Sequence, residues 1–337
     1  MNTAMSSTSP LELPGLSAPS TGSPLRQAPD AAAWAPSSGV GSPFALDSVI
    51  SGLQSSLDQL ALRLDAEHDA LWCSFVHPER PCFTPDLLGD ITRFQRRLEK
   101  ALRMPSLLGQ APLGALVWRS GFPDVWNLGG DLELFVKLIR AGDRTRLRTY
   151  AHACVETVYR NWTKGGARLQ TIALVQGDAL GGGFEAALSN DVIIAERHSK
   201  FGLPEILFRM FPGMGAYSFL SRRIGAAEAE AMITSGRLYS AIEMADLGIV
   251  DLVVETGEGE AAVADWLSRQ RRRRRVMDAL ASVRRRCQPI THEELMDVTD
   301  IWVETALALE ASDLRKMERL AKAQDRRRAR DAVRAAA

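Results

Sequence analysis

Thr171-Ile172-Ala173-Leu174-Val175, then Ala179-Leu180-Gly181-Gly182-Gly183-Phe184-Glu185, then Asp191-Val192-Ile193-Ile194-Ala195 is the stretch that decides the fold. Two apolar, β-branched runs flank a glycine turn that opens a helix near Gly183. Strands alternating with helices in this way indicate parallel βαβ units. Toward the N-terminus, Arg144–Lys164 and Leu132–Arg140 read as helices, Trp126–Asp131 as a turn, and Leu113–Trp118 as a short buried strand. Before that, Thr84 or Asp86 caps a helix carrying Leu87, Ile91, Phe94 and Leu98. Leu60, Leu62 and Leu64 alternate as a strand, and Ala70–Val76 follows as a second one after a turn. Leu46, Val49, Ile50, Leu53 and Leu57 fall at helical spacing. On the C-terminal side lie a short helix beyond Ser240, a strand Ile249–Val254 and then only helical patterns, among them Leu295–Leu309 and Leu314–Ala323.

The chain has 337 residues, 46% hydrophobic and 24% charged, with zero formal net charge, as a soluble globular protein would. Seven of its 16 prolines and nine serines fall in residues 1–44. Such a segment buries too little apolar surface to offset the entropy of ordering, so 1–44 reads as a disordered Pro/Ser-rich tail. Residues 45–255 then form the core domain, 256–328 a C-terminal helical lobe, and 329–337 a second disordered tail. Arginine runs at 271–275, 284–286 and 326–328 read as solvated helix faces, with docking of an acidic or other partner protein as the competing reading. No aromatic residues interleave with them and the chain is neutral, which argues against nucleic acid. Cys73, Cys82, Cys154 and Cys287 lack paired spacing and read as small buried hydrophobes; the five histidines are dispersed. Neither a metal site nor a disulfide framework is expected, and the composition suits a reducing cytoplasm. No apolar run of ~18 residues and no basic, apolar leader is present, so neither membrane insertion nor secretion is expected.

The chemistry concentrates in two glycine turns and two acids. A glycine turn entering a helix exposes N–H groups without helical partners, at the positive end of the helix dipole. Gly181-Gly182-Gly183 is one such turn, and Leu128-Gly129-Gly130-Asp131 is another. Neither matches the GxGxxG or GxxxxGK[ST] phosphate patterns, so an ester or thioester oxygen gaining charge is the better guest. Glu185 closes the first turn and Glu205 follows Pro204 in Phe201-Gly202-Leu203-Pro204-Glu205-Ile206. Either acid alone could equally be a capping carboxylate. Together, beside Pro212-Gly213-Met214-Gly215, they suit acid–base work next to a carbonyl. Leu180 and Phe184, beside the turn, are candidates to line an acyl pocket. Tyr217, Trp126 and Phe122 read as core or loop anchors.

Gly129-Gly130-Asp131, Ala179–Glu185, Gly202–Ile206 and Pro212–Gly215, in this order, resemble the crotonase (enoyl-CoA hydratase/isomerase) superfamily. Asn127–Leu132, Gly181–Leu188, Phe211–Phe219 and Ile301–Ala306 are similar to one branch, the bacterial diffusible-signal-factor synthases of quorum sensing. The likeness covers roughly Leu60 to Arg328; the long tail departs from it. It implies an α/β spiral of ββα units with an appended C-terminal α-helical lobe. It also implies that Gly130 and Gly182 supply an oxyanion hole, that Glu185 and Glu205 are the catalytic acids, and that Met214 and Trp302 line the acyl tunnel; core packing is the competing reading for those last two. The implied reaction dehydrates a 3-hydroxyacyl thioester, on acyl carrier protein or CoA, to a cis-2-enoyl thioester and hydrolyses it to a free acid. No cofactor is implied. A sensor histidine kinase partner and a homotrimer are. A plain enoyl-CoA hydratase, or a weakly active kinase-binding protein, are the competing readings.

Overall fold

The structure, a computed structural model, describes residues 44–76, 80–103, 113–122 and 124–322. The expected tail lies outside them up to residue 43, as do 329–337 and the arginines at 326–328; Phe44 already opens a helix, Phe44–Gln54. Among the described residues ten strands make two sheets. The larger has β1 (Leu60–Asp65), β2 (Ala70–Phe75), β3 (Ala115–Ser120), β5 (Gln170–Val175), β7 (Val192–Glu196) and β10 (Leu252–Val254), side by side in that order. β1 and β2 pair antiparallel, and every later neighbour is parallel. The smaller sheet has β4 (Asp124–Asn127), β6 (Gly177–Leu180), β8 (Lys200–Gly202) and β9 (Leu238–Ser240), parallel as far as β8 and antiparallel at β9.

Each parallel strand β3, β5 and β7 of the large sheet passes directly into a strand of the small one, and a helical segment follows each pair. Those segments are Leu132–Arg140, Gly182–Leu188 and the 3₁₀ turn Pro204–Phe208. The repeat is therefore strand, strand, helix: a mixed α/β spiral with a helical C-terminal region. Simple βαβ units, expected from periodicity, are corrected by the small sheet. Its strands have only three or four residues, too few to register as an alternating pattern.

The large sheet is apolar on both faces because both are covered. Successive side chains point to opposite faces. Leu116, Trp118, Ala173, Val175, Ile193 and Ala195 accordingly enter the main core. Their neighbours Val117, Ile172, Leu174, Val192 and Ile194 pack on the other side with Val263 of the helix Gly259–Gln270. Thr84 is the cap of the helix Pro85–Leu102, its hydroxyl accepting from Leu87 N–H at 3.2 Å, and Asp86 sits in the first turn. The long helix Arg144–Thr163 packs against the helix His292–Leu307 of the C-terminal region. The helix Arg274–Cys287 buries no residue, in keeping with a solvated face, though Val276, Leu280 and Val283 also stand exposed on it. Cys73, Cys82 and Cys154 are buried as expected, whereas Cys287 is exposed.

Candidate active site

All three parallel strands of the small sheet end in a piece of the site. β4 leads into the turn Leu128-Gly129-Gly130-Asp131, β6 into Gly181-Gly182, and β8 into Pro204-Glu205. Ligand sites at the carboxyl ends of parallel strands are the general habit of α/β sheets, because the loops there converge.

The first turn is pinned on every side but one. Leu128 N–H donates to Pro81 C=O at 2.7 Å, and Gly129 N–H to Asn127 Oδ1 at 2.8 Å. Phe83 N–H donates to Gly129 C=O at 2.8 Å. A trans peptide sets its N–H opposite its C=O, so this bond turns Gly130 N–H away from Phe83. Gly182 lies close by, since a Cβ built on it would stand 3.5 Å from Gly130 N. Gly181 has φ +52° and donates its N–H to Gly202 C=O at 2.8 Å, which ends the β6–β8 ladder. Gly182 begins the helix Gly182–Leu188, where a first-turn N–H has no helical acceptor. Neither Gly130 N–H nor Gly182 N–H has an acceptor among the described residues.

Glu185 sits in that helix with 1% of its surface exposed. Its Oε1 accepts from Met214 N–H at 2.7 Å and Ala216 N–H at 2.9 Å. The Pro212–Gly215 turn thus serves as a clamp for this carboxylate. Burial pushes Glu185 up to about 7, while the amides of Ala216, Met214 and Gly215 pull the other way by favouring the anion. Glu205 opens the 3₁₀ turn Pro204–Phe208, and its Oε1 stands 2.6 Å from where a Gly181 Cβ would be. As a residue Glu205 is partly exposed, but its Oε2 is buried and has no hydrogen-bond partner among the described residues. Burial, and then the charge of Glu185, push it up to about 8. Two interacting carboxyls in one buried site do not both ionise readily, and the amide clamp favours the charge on Glu185.

A cavity of about 350 Å³ joins these groups, within the usual range for a small-molecule pocket. Leu180, Met214 and Trp302 line it, along with Gly130, Gly182, Glu185 and Glu205. Trp302 comes from the helix His292–Leu307 and lies against Gly213, where a Cβ would meet its Cγ at 2.5 Å. Phe184 is a correction. It is fully buried edge-on to Phe201, with ring centroids 5.5 Å apart, and is not on the cavity wall. Adjacent helix positions diverge by about 100°, so Glu185 facing the cavity turns Phe184 into the core. Tyr217 is no core anchor either: it is exposed, with its hydroxyl on Glu230. Phe135, Tyr150, Cys154 and Thr299 also line the cavity. Periodicity hid them, since Tyr150 and Cys154 share the apolar face of a helix and read as core. Leu207 and Leu238 line it while half exposed, and so mark its mouth. Among the described residues no cluster of histidine, cysteine or acidic side chains could hold a metal ion, and no helix is long and apolar enough to cross a membrane.

Similarities to known proteins agree with this geometry. Residues 113–294, more than half of the chain, match the family model described as enoyl-CoA hydratase/isomerase. The probable enoyl-CoA hydratase echA8 of Mycobacterium bovis is 45% identical over 107 residues, 32% of this chain and 42% of that protein. A probable mitochondrial enoyl-CoA hydratase 2 of Arabidopsis thaliana is 42% identical over 141 residues, 42% of this chain and 44% of that one. The chain thus spans less than half the length of these curated relatives. The crystal structure of enoyl-CoA hydratase from Bacillus halodurans superposes with a TM-score of 0.63 at 22% identity, covering 77% of this chain and 98% of that one, a likeness in fold. A strand, strand, helix spiral, two free amides over paired glutamates and the matched family model point the same way: the chain belongs to the crotonase, or enoyl-CoA hydratase/isomerase, family.

Proposed function

We propose that this protein interconverts 3-hydroxyacyl and 2-enoyl thioesters, and that it goes on to hydrolyse the enoyl thioester to a free 2-enoic acid. The observation that carries the first part is the meeting of two buried carboxyls and two unpaired amides on one apolar cavity. A thioester oxygen between Gly130 N–H and Gly182 N–H gains negative charge as the α carbon loses or awaits its proton. Preorganised donors of this kind are each worth about 3–4 kcal/mol in the transition state. Glu185, held as an anion by the clamp, is ready to accept a proton, and Glu205 is ready to give one. In the direction of water addition, Glu205 protonates the α carbon while Glu185 takes a proton from water. Dehydration runs the same steps backward with the protonation states exchanged.

Hydrolysis reuses the amides for the tetrahedral oxyanion: a glutamate takes a proton from the attacking water, the C–S bond breaks as the oxyanion collapses, and the same glutamate returns the proton to the departing carrier thiol. Supporting this second part is the likeness of Asn127–Leu132, Gly181–Leu188, Phe211–Phe219 and Ile301–Ala306 to signal synthases. A cis double bond, acyl carrier protein or CoA as carrier, a cytoplasmic homotrimer and a restraining sensor kinase belong to the same reading. A plain enoyl-CoA hydratase is the second reading, favoured by the names of the relatives. Incubation with 3-hydroxyacyl-CoA and 3-hydroxyacyl carrier protein, followed by mass spectrometry, separates the two. Free 2-enoic acid supports the synthase, thioester products alone leave the hydratase, and no turnover removes both.

A further inference from the structure

We propose that Tyr150 is a positioning residue that holds the Gly130 amide in place, an inference that rests on the oxyanion role given to Gly130 above. Tyr150 comes from the helix Arg144–Thr163 and lines the cavity. Its hydroxyl donates to Phe83 C=O and accepts from Asp131 N–H at 3.1 Å. Phe83 and Gly130 form an isolated parallel bridge, in which Phe83 N–H already donates to Gly129 C=O. A parallel bridge sets Asp131 N–H facing Phe83 C=O. The two make no direct bond of ordinary length, and the tyrosine hydroxyl links them. It sets the separation of the two segments, and with it the direction of the peptide on either side of Gly130.

The ring is fixed independently of the hydroxyl. It packs edge-on against Phe135 at 5.2 Å and 85°, and Phe135 in turn touches Gly130 and Trp302. Removing only the oxygen would therefore leave the packing and strip the link. Asp131 N–H and Phe83 C=O would then be unpaired in a buried place, or would close directly on one another. Either outcome shifts the Gly130 amide from the line it shares with Gly182. A misplacement of about 1 Å at a reacting group costs on the order of 100-fold in rate.

The test compares Tyr150→Phe with the wild type in the full chain. Expected are a kcat lower by about 10- to 100-fold, a KM within about threefold and an unmoved pH profile. Binding of an unreactive saturated acyl thioester, labelled at the carbonyl, gives the direct readout: its infrared carbonyl band shifts down on the wild type and less on the variant. An unchanged band shift, or an unchanged kcat, overturns the proposal, because a merely structural tyrosine would lower thermal stability without moving either. If Tyr150→Phe does not fold, 3-fluorotyrosine at position 150 keeps ring and hydroxyl but weakens the oxygen as an acceptor. A reduced band shift then supports the proposal and an equal one overturns it. Wild-type protein that neither turns over nor polarises any thioester would fail the proposed function, whereas a variant equal to an active wild type fails only the role of Tyr150.

Discussion

The two sheets divide the work. Strands β2, β3, β5 and β7 of the large sheet have five or six residues, nearly all buried. The small sheet's strands are three or four residues long, and three of them lead, within two or three residues, to Gly130, Gly182 and Glu205. Bulk burial scales with strand length, so the large sheet supplies the stability. The small one supplies direction, holding three chain segments close enough for their tips to share a cavity. Stability and chemistry should therefore respond to different substitutions, and each of the following expectations tests that division.

The largest effect belongs to the acids. Glu185→Gln and Glu205→Gln should each reduce turnover by about 10²–10⁴-fold with the fold retained, read by steady-state kinetics and circular dichroism. Near-full activity in either would remove that carboxyl from the chemistry. Gly182→Ala comes next: its Cβ would meet Met214 Sδ on the cavity wall at 2.6 Å and stand in contact with Gly130 N at 3.5 Å. The N–H is kept but displaced, so turnover should fall by about 10- to 100-fold, the scale of a misplacement of about 1 Å. Leu174→Ala, in the large sheet, should do the reverse. A buried leucine truncated there costs about 2–5 kcal/mol of stability in denaturant titrations, with kcat per folded molecule unchanged. A large drop in kcat would show that the sheets are not independent.

The smallest effect is in pH. Both glutamates titrate higher in the folded protein, so the unfolded chain releases their protons first. Their contribution to stability is then full below the ordinary carboxylate value of 4.5 and is lost as pH rises through about 7 for Glu185 and about 8 for Glu205. The thermal midpoint should fall across that window, on the scale of about 2–4 °C per kcal/mol for a domain of this size. Glu205→Gln should flatten the slope, while Leu174→Ala should lower the midpoint at every pH without changing it.

The same division governs what the sequence makes legible. Thr171–Val175 and Asp191–Ala195 are readable as strands because four or more consecutive buried residues leave an apolar run. β4, with Trp126 and Asn127, reads as a turn, because two apolar residues beside Asp124 and Asn127 carry no period. Glu185 and Glu205 stand out through the glycines and proline beside them, and these are the features that build their turns. Tyr150 carries no such mark. Its function lies in an oxygen that reaches two main-chain groups on other segments, and only the tertiary fold brings them within range. Phe184 fails for a simpler reason: proximity in sequence to Glu185 is not proximity to the cavity.

The wall of the cavity is finished by Trp302 and Leu320, far downstream of the glutamates. Synthesis runs from the N-terminus, so a ribosome will have extruded both acids and both glycine turns well before the indole that roofs them. Until then Gly213 and Met214 lack their cover, and the growing polypeptide has an open trough where the folded chain has a chamber. The cavity should thus be completed only after its glutamates have been made, when the helix that carries Trp302 folds over them.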